Sequence, residues 1–300
     1  MGNLSTSNLV DERFELLSLV FRLAGNPEYN EIDTEYQREL NARFDAFKQH
    51  PAVAYKRQNL GFGYDTVFSM ALHLEKAGDR FALINNTGYL FNDGMPTARW
   101  TPSNASPFIA LLNDFYIDTD FVKFFDSHAD LYTECSAAFE RGVLRSFNFK
   151  WFEAYGANPD NMRIILSPAT SRNCYAGTVY GVSSHNNIVC AALPGLKEYS
   201  KDYASFIAHE FAHSFANPIA DALYEGNREF RKWCDDSVNL ELLPFYPEGK
   251  HMAHEYVTRA YDTLYMIENF GANIEQDLNY HKKQGFAHIK DVYALVTKTA

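Results

Sequence analysis

The stretch HEFAHSFANP, residues 209–218, sets two histidines four residues apart and a glutamate directly after the first. Apolar residues surround these side chains from Tyr203 onward, so the stretch predicts a helix that is buried on most sides. Residues four apart lie on one face of a helix, which lets His209 and His213 point at one cation. Burying His, Glu and His without a partner would cost on the order of several kcal/mol. The pattern therefore favours a metal site over a chance pair of core histidines.

The order H-E-x-x-H on a helix is typical of zinc metalloproteases. Zinc takes nitrogen, sulfur or oxygen ligands in a tetrahedral array, and a catalytic site keeps one position open for water. We expect His209 and His213 to bind Zn²⁺ and Glu210 to act as the general base beside them. The expected activity is hydrolysis of peptide bonds, with a peptide or protein as the partner.

A third metal ligand has to come from another part of the chain, because Ala216 and Ile219 occupy the Gly and His positions of the extended H-E-x-x-H-x-x-G-x-x-H pattern. The segment 251–265, HMAHEYVTRAYDTLY, predicts a second apolar helix that carries Glu255. We favour Glu255 as the third ligand. The rival ligands are Asp221 and Glu225, which follow the motif directly.

The same helix carries a polar stripe of His251, Glu255, Arg259 and Asp262 at spacings of four, four and three. The oxyanion formed during peptide hydrolysis needs a donor besides the metal. Arg259 is the first candidate for this catalytic role, and His251, Tyr256 and the other tyrosines are further candidates. The alternative for Arg259 is an ion pair with Glu255 or Asp262, as is common for charges three or four apart on a helix.

Three stretches together resemble the DUF4932 family, a group of proposed bacterial zinc metallopeptidases. They are DERFELLSLVFRLAG (11–25), HEFAHSFANP (209–218) and HEYVTRAY (254–261). The resemblance covers most of the chain and implies a gluzincin-like hydrolase, with His209, His213 and Glu255 as zinc ligands and Glu210 as base. It also implies that an edge strand at 178–182 or 187–191 pairs with extended substrate.

The chain departs from the better-known gluzincins at one position. Four residues after the ligand glutamate those proteins carry an acidic side chain, and here the residue is Arg259. The carboxylate that orients a ligand histidine is therefore expected elsewhere, with Asp262 as the candidate.

The predicted fold class is α+β, mostly helical, because strand-like runs interrupt a helical chain only locally. We expect a helical N-terminal lobe at 1–156 with a β-hairpin near 81–92, and a zincin-like catalytic lobe at 157–300. One continuous domain 1–300 is the alternative. In the catalytic lobe a small mixed or antiparallel sheet is expected to pack on the active-site helix. Its strands are predicted at 162–170, 175–184 and 186–195, and the helices after them at 201–216, 219–234 and 251–270.

Charge and hydropathy narrow the classes of partner. The formal net charge is −11 over 300 residues, which argues against binding to nucleic acid or to anionic membrane surfaces. The sequence predicts no membrane-spanning segment. The first residues, MGNLSTSNLVDER, have neither the basic nor the apolar part of a secretory signal. The expectation is a protein that stays in the cytoplasm, or one that is exported and has lost its signal.

Two other classes of function compete with the peptidase. One is a catalytically inactive protein that keeps the zincin scaffold and its zinc and acts as a binding module. The other is a helical interaction protein in which the motif occurs by chance. Stoichiometric zinc separates the first two classes from the third.

Overall fold

A computed structural model describes residues 9–60, 65–92, 99–170, 172–181, 186–238 and 248–297. The protein is mostly helical (66%) and carries two small sheets in this part of the chain, so the predicted α+β class is confirmed. The chain divides into two compact units. The first comprises Met1–Gly142 and Asn161–Tyr199, and the second comprises Val143–Asp160 and Ser200–Ala300.

The first unit contains eight helices and five strands among its described residues. The helices are α1 (Glu12–Leu23), α2 (Glu35–Phe44), α3 (Pro51–Asn59), α4 (Asp65–Leu72), α5 (Gly88–Phe91), α6 (Pro102–Asp118), α7 (Phe121–Ser127) and α8 (Ala129–Gly142). The strands are β1 (Leu74–Ala77), β2 (Arg80–Leu83), β3 (Met162–Ser167), β4 (Tyr175–Tyr180) and β5 (Asn187–Pro194).

Helix α1 forms the centre of the first unit. Asp11 caps it by accepting a hydrogen bond from the backbone N–H of Arg13, and every residue from Phe14 to Leu23 is buried. Glu15 is the charged side chain at the middle of this helix, and it is fully buried. Its carboxylate accepts hydrogen bonds from Ser167 and, at 2.7 Å, from the hydroxyl of Tyr36. A buried carboxyl group is tolerated here because its oxygens are hydrogen-bonded.

The β-hairpin lies at 74–83 and not near 81–92, so that prediction is wrong in position. Strands β1 and β2 pair antiparallel from Leu74↔Leu83 to Ala77↔Arg80. Gly78, at φ 66°, is the first of the two turn residues, and a two-residue hairpin favours a glycine with positive φ there. The Asn-Asn-Thr-Gly run that suggested the turn instead leads into the short helix α5, where Leu90 is buried.

Strands β3, β5 and β4 form a mixed sheet in that order, with β3 parallel and β4 antiparallel to β5. The backbone of Leu9 accepts a hydrogen bond from Leu166, which ties β3 to the N-terminal segment. This pairing explains why the sheet groups with the first unit, whereas the sequence interpretation assigned 157–199 to the second lobe. Strand β5 lies between β3 and β4 and is paired on both sides from Val189 onward, so the run 187–191 is not an edge strand. Val182, the end of the rival run, lies outside the described residues.

The second unit is helical in its described residues. Its helices are α9 (Tyr203–Gly226), α10 (Arg228–Ser237), α11 (Gly249–Phe270), α12 (Ile274–Lys283) and α13 (Ile289–Thr297), preceded by 3-10 turns at Leu144–Ser146 and Phe149–Tyr155. No helix of the described chain combines the length and the apolar character needed to cross a membrane.

Helix α9 is longer than predicted. The sequence suggested separate helices at 201–216 and 219–234, divided at Pro218, but α9 continues through Pro218 to Gly226. Proline removes one backbone hydrogen bond and usually ends a helix. Here α9 packs along α11 more extensively than any other two elements pack. This packing, with Phe215, Ala216 and Ala220 buried around the proline, offsets the lost hydrogen bond.

Helices α9 and α11 run antiparallel and pack closely. Alanines at 204, 208, 212, 216 and 220 recur every four residues along α9, and all are buried. Small side chains allow two helix axes to approach each other. Ser205 near the start of α9 contacts Asp262 late in α11, while Asp221 late in α9 contacts His254 early in α11. The register of this pair therefore determines which side chains of α11 meet the motif.

Candidate metal centre

A polar seam runs along α9 beside the alanines. It consists of Ser205, His209, His213, Asn217 and Asp221, again at spacings of four. Each side chain of the seam contacts a polar group, and most of these partners lie on α11. The motif histidines lie at the centre of the seam, where they face Glu255 of α11.

His209, His213 and Glu255 converge at the middle of this seam. Among the described residues, these three form the group of metal-ligating side chains that comes together, and their ligand atoms lie within 4.8 Å of one another. The two Nε2 atoms lie 3.2 Å apart. Glu255 presents Oε2 at 3.6 Å from His209 Nε2 and Oε1 at 3.6 Å from His213 Nε2. The three side chains are only 13–19% exposed.

These separations fit one small cation. Zinc binds nitrogen at about 2.0–2.1 Å and oxygen at about 2.0–2.2 Å, so tetrahedral ligand atoms lie about 3.3–3.5 Å from each other. The observed separations, 3.2 Å between the two Nε2 atoms and 3.6 Å between each Nε2 and a Glu255 oxygen, bracket that range. Burial, followed by the nearby charge of Arg259, holds the pKa of His209 well below its usual value. The ring of His209 is therefore neutral, and a neutral imidazole is the form that binds a metal.

Glu210 lies next to this cluster and is 8% exposed. Burial raises its pKa to about 8, and the negative charge of Glu255 adds to the shift. A divalent cation at the cluster would favour the ionised carboxylate and lower that pKa again. The protonation of Glu210 would thus respond to whether the cluster holds a cation.

The two rival carboxylates do not join the cluster. Asp221 instead pairs through Oδ1 with His254 Nε2 at 2.7 Å and with Lys250 Nζ at 3.2 Å. Glu225 is exposed at the end of α9, where its backbone carbonyl accepts a hydrogen bond from Arg231. The register of α9 and α11 thus brings Glu255 to the histidines and leaves both rivals away from them.

Arg259 contacts the carboxylate of Glu255. Its Nη2 donates to Oε2 at 3.1 Å, and its guanidinium carbon lies 4.1 Å from the centre of the Phe286 ring. Arg259 is 16% exposed at the side chain, so this ion pair is largely removed from water. This geometry corresponds to the ion pair that the sequence left as the alternative to an oxyanion donor. His251, one turn before Glu255, is half-buried and is not among the converging ligand groups.

Asp262 does not take the place expected for it as the orienting carboxylate. Its Oδ2 accepts a hydrogen bond from Ser205 Oγ at 2.9 Å, and burial raises its pKa well above the usual value. The group that meets the far nitrogen of His213 is Asn217, whose Oδ1 lies 2.9 Å from Nδ1. The sequence interpretation ended the first helix at 216 and so left Asn217 outside it. Its place four residues after His213, on the same face, was the signal that could have identified it.

A family model with the description "Domain of unknown function (DUF4932)" matches residues 8–298 of the chain. The match covers nearly the whole sequence, so the chain belongs to this family, as its resemblance predicted. No curated protein and no solved structure matches the chain. The family carries no assigned activity, and the zinc metallopeptidase interpretation stays a prediction.

Proposed function

We propose that this member of the DUF4932 family is a zinc-dependent metallopeptidase. The observation that carries the proposal is the convergence of two imidazole nitrogens, 3.2 Å apart, with both oxygens of the Glu255 carboxylate at 3.6 Å. Two histidines and one glutamate are a common ligand set of catalytic zinc sites, in which the fourth position is kept for water or substrate.

His209, His213 and Glu255 hold the metal in this proposal, and Arg259 holds Glu255. When bound, zinc supplies Lewis-acid chemistry, which polarises the substrate carbonyl and makes water more acidic. Glu210 takes a proton from the attacking water as the new C–O bond forms. It then delivers the proton to the amide nitrogen as the C–N bond breaks, so that a carboxylic acid and an amine leave.

Sets of imidazole and carboxylate ligands also bind other transition metals. Glu210 favours a hydrolytic zinc site, because a buried carboxylate directly beside the ligands is the base that hydrolysis requires. We further propose a zincin-like catalytic core. Its support is the order along the chain, in which a small mixed sheet (β3, β5, β4) precedes the helix that carries H-E-x-x-H.

The test combines metal content with hydrolysis. Protein purified without chelators is analysed for bound metals and assayed on a mixture of fluorogenic peptides, for the wild type, Glu210→Gln and Glu225→Gln. We expect one zinc per chain in all three proteins. Hydrolysis should fall by about 10²–10⁴-fold in Glu210→Gln, because general-base catalysis contributes that much. Glu225→Gln is the matched control, since Glu225 is an exposed glutamate of the same helix.

Each failure has a distinct meaning. Absence of stoichiometric metal from the wild type would refute the metal site. Stoichiometric zinc without hydrolysis of any peptide would replace the peptidase by a zinc-binding module. Loss of zinc from Glu210→Gln would make Glu210 a ligand and overturn its role as base.

A further inference from the structure

The ring of His213 has a polar partner on each side. Its Nε2 faces His209 and Glu255, as the metal cluster requires. Its Nδ1 lies 2.9 Å from Asn217 Oδ1 and 3.2 Å from Thr258 Oγ1. A neutral imidazole carries one N–H and one lone pair, so the partners of Nδ1 decide which of them Nε2 presents to the cluster.

Two arrangements of protons are compatible with these distances, and they have opposite consequences. If Nδ1 carries the hydrogen, it donates to the amide oxygen of Asn217, and Nε2 keeps its lone pair for a metal. If Nδ1 lacks the hydrogen, the Thr258 hydroxyl or a reversed Asn217 amide donates to it. Nε2 then carries the hydrogen, donates it to His209 and has no lone pair for a metal.

The surroundings of Asn217 favour the first arrangement. The amide oxygen faces the ring at the shorter distance, and a hydroxyl oxygen beside it is able to accept as well as donate. Asparagine is a poor residue for a helix interior. A half-buried asparagine at this position therefore has no local structural advantage, and its contact with His213 supplies a reason for it.

We propose that Asn217 is a positioning residue that fixes His213 as the Nδ1–H tautomer and so presents the Nε2 lone pair to the metal. The importance of this role rests on the proposed metal centre, but the tautomer itself is a property of the metal-free protein. Partners of this kind in metalloproteins contribute about 10–100-fold to metal affinity.

The experiment uses the full chain, labelled with ¹⁵N and freed of metal. Long-range ¹H–¹⁵N correlation spectra report which ring nitrogen of His213 is protonated, with the His213 signals assigned by their absence from a His213→Gln spectrum. In the wild type we expect a protonated-type shift at Nδ1 and a lone-pair-type shift at Nε2. Asn217→Leu should move both shifts toward a mixture of tautomers, and Asn217→Asp, which keeps an acceptor oxygen, should retain the wild-type pattern.

Zinc affinity, measured by competition with a chromophoric chelator, provides the second readout. It should fall by about 10–100-fold in Asn217→Leu and recover in Asn217→Asp. Asn279→Leu is the matched control, because Asn279 is an exposed asparagine inside α12. An Nε2–H tautomer in the wild type would overturn the proposal, even if Asn217→Leu did not fold. Unchanged shifts and unchanged affinity in a folded Asn217→Leu would also overturn it. A wild type with the Nδ1–H tautomer that binds no zinc would support the role of Asn217 and refute the proposed metal centre.

Discussion

Replacement of Arg259 by methionine should destabilise the metal-free protein and leave most of the chemistry intact. Methionine keeps an apolar stem against Phe286 but removes the guanidinium that contacts Glu255. The carboxyl groups of Glu255, Glu210 and Asp262 then share a largely buried region without the cation whose charge acts on them.

The size of the effect follows from the geometry of the ion pair. At the observed 3.1 Å separation, two unit charges attract by about 5 kcal/mol for an effective dielectric constant near 20. Stacking of a cation on an aromatic ring adds about 0.5–2 kcal/mol. Desolvation of both charges offsets part of the sum, whereas loss of one partner leaves the other buried and unpaired. We therefore expect the free energy of unfolding to fall by roughly 3–5 kcal/mol.

Zinc should reduce this loss, because a bound dication takes over the neutralisation of Glu255. The assay is denaturant unfolding in chelator and in saturating zinc, together with kcat on a cleaved peptide. Zinc should stabilise Arg259→Met more than it stabilises the wild type, and kcat should change by less than about tenfold. The control is Arg231→Met. Arg231 donates to two backbone carbonyls and lies over the ring of Tyr224, but it is exposed, so water replaces these contacts and its loss should cost only about 1 kcal/mol.

Two results would refute this reasoning. Unchanged stability in chelator would show that the ion pair contributes nothing. A fall in kcat of about 10²–10³-fold with unchanged stability is the signature of an oxyanion donor and would restore the catalytic role considered from the sequence.

The remaining predictions concern the ligands and the first unit. Glu255→Ala should weaken zinc binding as strongly as His213→Ala, whereas Glu225→Ala should leave the affinity unchanged; tight zinc in Glu255→Ala would move the third ligand elsewhere. Chelation should lower the thermal midpoint of the wild type, since a ligand that binds the folded state stabilises it, and should lower that of His213→Ala much less; equal shifts would refute the site. In the first unit, burial raises the pKa of Glu15 from its ordinary 4.5 to about 7. The folded state thus holds this proton more tightly, and its contribution to stability should be lost as the pH rises from about 4.5 to about 7. Glu15→Gln should flatten the pH dependence of the unfolding free energy over that interval, and an unchanged slope would show that Glu15 is not its source.

Much of the local structure was accessible from the sequence because it depends on neighbouring residues. The Asp11 cap and the helix after it depend on capping chemistry and apolar spacing, which are both local to the sequence. The hairpin was misplaced because two turn signals lie close together, at Gly78 and in the Asn-Asn-Thr-Gly run. Only pairing with a partner strand decides between such signals, and that pairing is not encoded in either turn.

The prediction that a helix ends before Pro218 was wrong for a related reason. A proline usually ends a helix, so local chemistry predicted a helix end at this position. Burial of the flanking side chains in the second unit outweighed the missing hydrogen bond, and a sum of contacts over a whole helix cannot be seen from one residue. The same continuity places Asn217 inside the helix, one turn beyond His213, where its amide reaches the ring.

The spacing of His209, Glu210 and His213 is a local property, because a helix sets the direction of residues four apart without help from the rest of the chain. The family and the mostly helical class were also accessible from the residues alone. The choice among several carboxylates to meet the histidines depends instead on how the helices pack. Glu255 is more than forty residues from His209 along the chain, and its position depends on the axial register of two antiparallel helices. A shift by one residue turns a side chain by about 100° around the helix, so the packing of the buried faces, and not any local pattern, brings Glu255 into the site.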